Sequence, residues 1–143
     1  MADEKLILVV DDDPDLVEAI SMKLESRNYR VAKAYDGVEA WDKIKEERPE
    51  LIILDVMMPK EGGLQIYRDL KQDRDLKHVP VIMLSTIDRK TFLRYQRGYR
   101  SRMGWDLPDP GAYLEKPLEA EELIELVRTL TKIDECPLAK DDD

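Results

Sequence analysis

The chain has few of the residues that form covalent or transition-metal cross-links. Its 143 residues include one cysteine, Cys136, and one histidine, His78. A disulfide within the chain is therefore impossible, which is typical of a protein kept in a reducing cytosol. His78 stands alone in a predicted loop, which disfavours a catalytic or metal-binding role. No apolar run is long enough to span a bilayer, and the polar, acidic start predicts no secretion signal.

The chain also lacks the positive charge that non-specific nucleic-acid binding requires. It contains 32 Asp and Glu residues against 23 Lys and Arg residues, so its net charge is −9. This balance argues against nucleic acid as the main partner of the whole chain. The length predicts one domain with a core of useful size.

Apolar runs of strand length alternate along the chain with segments of helical period. The predicted strands are Lys5–Val10, Tyr29–Ala34, Leu51–Leu54, Val81–Leu84 and Ala112–Glu115. The predicted helices are Pro14–Arg27, a segment that opens at Asp36–Gly37 and ends before Pro49, Leu64–Gln72, Arg89–Met103 and Ala120–Lys132. In the second helix, Val38, Trp41 and Ile44 form the predicted packing face. The alternation implies an α/β fold, a doubly wound parallel sheet with helices on both faces, over residues 1–132. Residues 133–143 are predicted to form a polar, acidic tail.

Polar residues follow four of the predicted strands directly. Asp11 and Asp12 follow the first strand, Asp55 the third, Ser85 the fourth and Lys116 the fifth. Because ligands of open α/β sheets bind outside the carboxyl ends of the strands, we expect these side chains to share one site. Carboxylate oxygens suit Mg²⁺, and an ammonium group would relieve the repulsion among the acids. A carboxylate can also attack phosphorus, and Asp55 is best placed to do so, at the end of the central strand.

Four motifs in this order make the chain resemble the receiver domain of bacterial two-component response regulators. They are Val9–Pro14 (VVDDDP), Leu54–Pro59 (LDVMMP) with Gly62 and Gly63, Pro80–Ser85 (PVIMLS) and Ala112–Pro117 (AYLEKP). The resemblance extends over about residues 5–132, and it implies a flavodoxin-like sheet with strand order 2-1-3-4-5.

The resemblance also implies roles for individual residues. Asp55 corresponds to the phospho-acceptor, and Mg²⁺ would be held by Asp11, Asp12, Asp55 and the backbone carbonyl of Met57. The Ser85 hydroxyl, the Lys116 ammonium and the Tyr113 ring would respond to phosphorylation, with simple packing as the alternative role of Tyr113. The family resemblance further predicts a cis peptide bond between Lys116 and Pro117.

The same resemblance implies a set of partners. A sensor histidine kinase or a phosphotransfer protein would donate the phosphoryl group. The phosphorylated protein would then change the surface formed by helix 4, strand 5 and helix 5, and an unknown protein target or a second copy of the chain would bind there.

The connection between Ser85 and Tyr113 is longer than in typical members of the family, and its composition is unusual. Residues 89–102 contain six basic residues and no acidic one, namely Arg89, Lys90, Arg94, Arg97, Arg100 and Arg102, and aromatic residues occur among and just beyond them (Phe92, Tyr95, Tyr99 and Trp105). One interpretation is a docking surface for an acidic protein or a second subunit. The other is an amphipathic helix with aromatic residues inside and solvated arginines outside.

Because no further domain is predicted after the fifth helix, we expect a stand-alone cytoplasmic phospho-switch rather than an enzyme. One alternative is a small Mg²⁺-dependent phosphohydrolase that works through an aspartyl-phosphate. Such enzymes commonly carry a second aspartate two residues after the nucleophile, where this chain has Met57. The other alternative is a receiver-like scaffold that binds partners without being phosphorylated.

Overall fold

The computed structural model of the protein describes residues 5–56, 63–103 and 110–135. Strands β1 (Leu6–Val10), β2 (Arg30–Ala34), β3 (Leu51–Asp55), β4 (Val81–Ser85) and β5 (Ala112–Glu115) alternate with helices. The helices are α1 (Pro14–Glu25), α2 (Gly37–Glu46), α3 (Gly63–Gln72), α4 (Arg89–Met103) and α5 (Ala120–Glu135). Met57, Trp105 and the tail after Glu135 lie outside the described residues.

The five strands form one parallel sheet in the order β2-β1-β3-β4-β5, which confirms the predicted fold class and strand order. Strands β1, β3 and β4 are buried along their whole length, as expected of apolar strands covered on both faces. In the register of the sheet, Asp55 pairs with Leu84 and Ser85 pairs with Glu115. The carboxyl ends of the strands therefore meet at one edge, where the polar residues lie.

The core is divided by the sheet into two layers. On one face, residues of α1 and α5 pack against alternate strand residues (Val17, Ile20, Leu24, Leu123, Ile124 and Val127 against Ile7, Val9, Ile53 and Ile82). On the other face, residues of α2, α3 and α4 pack against the intervening ones (Ala40, Ile44, Ile66, Tyr67, Leu70 and Phe92 against Leu8, Val10, Ile52 and Met83). None of the described helices combines the length and apolar character needed to cross a bilayer.

Three helices begin at an aspartate that caps the first turn, and for α4 this residue is Asp88, whose carboxylate accepts a hydrogen bond from the backbone N–H of Thr91 at 2.7 Å. The Asp13 carboxylate accepts hydrogen bonds from the backbone N–H groups of Asp15 and Leu16, which confirms its predicted capping role. The Asp36 carboxylate accepts a hydrogen bond from the N–H of Glu39 at 2.9 Å, and the Glu39 carboxylate accepts one from the N–H of Tyr35. This reciprocal pairing fixes the point at which α2 begins.

The structure differs from the sequence-based prediction at several element ends. Helix α1 ends at Glu25 rather than Arg27, because the chain turns through Asn28, whose φ of 74° is left-handed. Helix α5 continues past the predicted end at Lys132 to Glu135. The prediction that Val38 packs inward is wrong: its side chain is 61% exposed. The buried face of α2 instead carries Gly37, Ala40 and Ile44, while Trp41 is partly buried.

Candidate functional site

Three aspartates meet at the carboxyl edge of the sheet. Asp11 follows β1 directly, and its backbone N–H donates to the carbonyl of Ala34 at 3.2 Å. Asp55 is the last residue of β3. One carboxylate oxygen from each of Asp11, Asp12 and Asp55 lies within 4.8 Å of the others. Asp11 and Asp55 are buried and Asp12 is exposed, so the cluster is closed by the protein on one side and accessible on the other.

Lys116 brings a positive charge to the two buried aspartates. Its Nζ donates a hydrogen bond to Oδ2 of Asp11 at 2.9 Å and lies 3.5 Å from Oδ2 of Asp55. The backbone N–H of Lys116 donates to the carbonyl of Ser85 at 2.7 Å, which fixes the residue beside the end of β4. The peptide bond between Lys116 and Pro117 is cis, as the family resemblance predicts.

Burial and the neighbouring charges shift the pKa values of Asp11 and Lys116. Burial raises the pKa of Asp11 above its ordinary value, although hydrogen bonds from Lys116 and from the N–H of Asp13 oppose the shift, and the charge of Asp55 adds to it. Burial alone would lower the pKa of Lys116, but the hydrogen bond to Asp11 and the charges of both aspartates outweigh it and raise the pKa. The hydrogen bond between Asp11 and Lys116 lowers the pKa of the acid and raises the pKa of the amine, so it favours the charged form of both groups.

The donor set fits a hard divalent cation. Three carboxylates face one ammonium group, which leaves a net negative charge in a partly buried site. Carboxylate oxygens are the ligands that Mg²⁺ prefers, and a site accessible on one side allows the ion to keep bound water. The backbone carbonyl of Met57, expected from the resemblance to be a further ligand, lies outside the described residues.

Ser85 ends β4, the strand next to the one that ends at Asp55, and it is connected to Tyr113 through one residue of the loop between β4 and α4. The Ser85 Oγ accepts a hydrogen bond from the N–H of Ile87 at 2.9 Å. The Tyr113 hydroxyl donates to the carbonyl of the same Ile87 at 2.6 Å. Both side chains are buried, and burial raises the pKa of Tyr113. A displacement of Ser85 would therefore be felt by Ile87 and, through it, by Tyr113.

Three side chains that the sequence did not single out for this site secure α4 against β5. The Phe92 ring packs on the Tyr113 ring with centroids 4.8 Å apart, and the Arg89 guanidinium lies 5.9 Å from the centroid of Tyr113. The Glu115 carboxylate accepts a hydrogen bond from the N–H of Arg89 at 2.9 Å. The register of β4 against β5 pairs Ser85 with Glu115 and so places the Glu115 carboxylate beside the start of α4, which the sequence alone does not indicate.

The chain is thus a small α/β protein that carries a cluster of aspartates and a lysine at the carboxyl edge of its parallel sheet. Residues 7–103 of the chain match the sequence pattern of the family described as the response regulator receiver domain. The chain is 37% identical over 126 residues to the response regulator MprA of Mycobacterium avium, covering 88% of this chain and 50% of that protein. It is 33% identical over 128 residues to the DNA-binding dual master transcriptional regulator RpaA of Synechocystis, covering 88% and 48%.

A solved structure of similar sequence has the same fold. The signal receiver domain of a signal transduction histidine kinase from Syntrophus aciditrophicus is 30% identical, has a TM-score of 0.74 and is matched over 90% of each chain. The chain spans about half the length of the curated relatives that it matches. The chain belongs to the response regulator receiver domain family of two-component signalling proteins.

Proposed function

We propose that the protein is a phospho-switch that accepts a phosphoryl group on Asp55 in the presence of Mg²⁺. The observation that supports this proposal most is the buried Asp55 carboxylate, with the Lys116 ammonium 3.5 Å from its Oδ2 and the oxygens of Asp11 and Asp12 close by. When the Asp55 carboxylate attacks phosphorus, the ammonium group of Lys116 is already positioned to stabilise the oxygens of the incoming phosphoryl group.

The proposed step transfers a phosphoryl group from a donor molecule to the carboxylate of Asp55. An oxygen of Asp55 attacks phosphorus and forms a new P–O bond, while the bond from phosphorus to a donor imidazole nitrogen, or to the acyl oxygen of a small donor, breaks. The leaving group takes the bonding electron pair, and the imidazole takes up a proton from solvent. Lys116, oriented by its hydrogen bond to Asp11, stabilises the phosphoryl oxygens. Bound Mg²⁺, held by Asp11, Asp12 and Asp55, would supply further positive charge for the same purpose.

The proposed switch starts at Ser85. In the structure the Ser85 hydroxyl oxygen accepts a hydrogen bond from the N–H of Ile87. A phosphoryl group on Asp55 would offer the O–H of Ser85 an acceptor, and we expect the side chain to turn toward it and to weaken its bond to Ile87. Because Ile87 also holds the Tyr113 hydroxyl, the change reaches β5 and the start of α4.

The partners and the location belong to the same proposal. A sensor histidine kinase or a phosphotransfer protein would donate the phosphoryl group in the cytoplasm. A downstream protein would bind the surface of α4, β5 and α5, and sedimentation tests whether a second copy of the chain binds there instead. Fractionation of cells that express a tagged chain would test the location.

Intact-mass measurement after incubation with acetyl phosphate and Mg²⁺ tests the phospho-acceptor. We expect a gain of about 80 Da, the mass of one phosphoryl group in place of a hydrogen, which is lost at alkaline pH as an acyl phosphate is. The variant Asp55→Asn should not gain this mass, and EDTA should prevent the gain in the unchanged chain. The matched control is Asp75→Asn, which removes an exposed aspartate far from the site and should react normally. A wild-type chain that never gains the mass would refute the proposal.

We also propose that the protein is a signalling switch without turnover on other phosphate esters. The sequence has methionine at position 57, where a phosphohydrolase of this chemistry would need an acid or base. Incubation with p-nitrophenyl phosphate and Mg²⁺ tests this part. Repeated turnover that Asp55→Asn abolishes would show a phosphohydrolase instead.

A further inference from the structure

We propose that the exposed face of α4 is a docking surface for an acid-rich segment of another protein, with Leu93 as its apolar anchor. This surface is defined by Lys90, Leu93, Arg94 and Arg97. It is exposed in the unphosphorylated structure, so the proposal does not depend on phosphorylation of Asp55.

The charge of α4 is opposite to that of the rest of the molecule. Residues 89–102 carry +6 and no acid, and since the whole chain carries −9, the remainder carries −15. Lys90, Arg94 and Arg97 are exposed, and no carboxylate of the described residues forms an ion pair with any of the three. These three cations on one helix repel one another, and the single carboxylate of Asp88 at the start of α4 offsets only part of their charge. A negative partner therefore adds favourable contacts to this surface.

The same face carries an exposed apolar side chain at its centre. Lys90, Leu93, Arg94 and Arg97 follow the i, i+3, i+4, i+7 spacing that places residues on one side of a helix. Leu93 is 40% exposed, whereas its neighbour Phe92 is 3% exposed and packs against Tyr113. The burial of Phe92 fixes the orientation of α4, so the cations and Leu93 point away from the core. An apolar centre surrounded by polar contacts is typical of protein–protein interfaces.

A second copy of the chain is a less suitable occupant. In a symmetric dimer the same surface of both copies meets, so a dimer through the exposed face of α4 would place Lys90, Arg94 and Arg97 of one copy against the same cations of the other. Like charges that face one another across an interface cost free energy, whereas an acidic segment adds attraction.

Nucleic acid is also less suitable. A duplex extends beyond one helix, and the rest of the chain has a net charge of −15, which repels the phosphates of the duplex. A short acidic peptide needs only the helix itself, and its apolar side chains can cover Leu93.

Fluorescence anisotropy with a labelled peptide of repeated Glu-Glu-Leu units tests the proposal. The comparison probes are the same peptide with Gln in place of Glu, the same peptide with Ser in place of Leu, and a short random-sequence DNA duplex. We expect the Glu-Glu-Leu peptide to bind most tightly and to weaken as salt is raised. The double variant Arg94→Glu/Arg97→Glu should weaken its binding about tenfold or more, because two attractive contacts become repulsive. Leu93→Gln should weaken the Glu-Glu-Leu peptide and leave the Ser-containing peptide unchanged.

The matched control is Arg74→Glu/Lys77→Glu, which makes the same change of charge at exposed residues between α3 and β4. It should change binding by less than about twofold, as expected of cations outside the contact. Circular dichroism checks that each variant is folded. Absence of peptide binding, equal weakening by both double variants, or tighter binding of the duplex would overturn the proposal. So would sedimentation showing a dimer that Arg94→Glu/Arg97→Glu dissociates, since the occupant would then be a second copy.

Discussion

Two buried carboxylates depend on the ammonium group of Lys116, so removing that charge should destabilise the unphosphorylated protein. Nζ of Lys116 lies 2.9 Å from Asp11 and 3.5 Å from Asp55, and both aspartates are buried. The substitution Lys116→Met keeps the aliphatic stem and removes the charge. The oxygens of Asp11 and Asp55 lie within 4.8 Å of each other. At that separation and an effective dielectric constant of about 20, they would repel by at least about 3.5 kcal/mol.

Protonation of one carboxyl group limits this cost and makes it depend on pH. For a carboxyl group whose ordinary pKa is 3.8, taking up a proton costs about 4.4 kcal/mol at pH 7 but only about 1.6 kcal/mol at pH 5. Asp11 should take the proton, because burial already raises its pKa in the unchanged chain. We therefore expect Lys116→Met to lower the free energy of unfolding by about 3 to 4 kcal/mol at pH 7. The loss at pH 5 should be no more than about 1.6 kcal/mol.

The direction of the pH effect follows from proton binding. In the variant the folded-state pKa of Asp11 rises further above its unfolded-state value, so the folded chain holds a proton that the unfolded chain has lost. Stability then falls as pH rises through the interval between the two values, and it recovers as pH falls toward 4. In the unchanged chain the pKa of Lys116 is raised from its ordinary value of 10.5, so the ammonium group does not lose its proton in this pH range.

Urea unfolding followed by circular dichroism in EDTA, at pH 5 and pH 7, measures these losses. The double variant Lys116→Met/Asp11→Asn should recover most of the stability at pH 7, because only one buried carboxylate remains. The matched control is Lys71→Met. Lys71 is a half-buried lysine whose Nζ donates to the carbonyls of Lys77 and Val79, so its loss involves no carboxylate and should be similar at both pH values. A loss under about 1 kcal/mol for Lys116→Met at pH 7, or an equal loss at both pH values, would refute the reasoning.

The fold and the acidic cluster could be predicted because both depend on features that are local in sequence. Each central strand is a short, continuous apolar run, and the residue that follows it is polar. In a parallel sheet the ends of such runs converge on one edge, so Asp11, Asp55 and Lys116 could be expected to lie together. The structure places them within hydrogen-bonding or ion-pair distance.

The contacts around the switch could not be predicted in the same way. The hydrogen bond from Tyr113 to Ile87 joins residues 26 positions apart, and it depends on a side-chain rotamer and on the path of a loop. The bond from Arg89 to Glu115 depends on the register of β4 against β5. Val38 shows a related limit: an apolar residue at helical spacing indicates a face, but neighbouring elements decide whether that face is covered.

Three further substitutions test other parts of the structure by urea unfolding. Tyr113→Phe removes the hydrogen bond to the Ile87 carbonyl and should cost about 1 kcal/mol. The yield of acyl phosphate should not change, and a lost yield would show that the hydroxyl takes part in phosphoryl transfer. Asp36→Ala removes the N-cap of α2 and should cost about 1 kcal/mol. Asp36→Asn should cost much less, and equal losses would contradict the capping role. Phe92→Ala removes a buried ring that packs on Tyr113 and should cost about 3 to 4 kcal/mol. The exposed neighbour provides the control, since Leu93→Ala should cost under about 1 kcal/mol. If the two losses were equal, Phe92 would not be the side chain that secures α4 against β5.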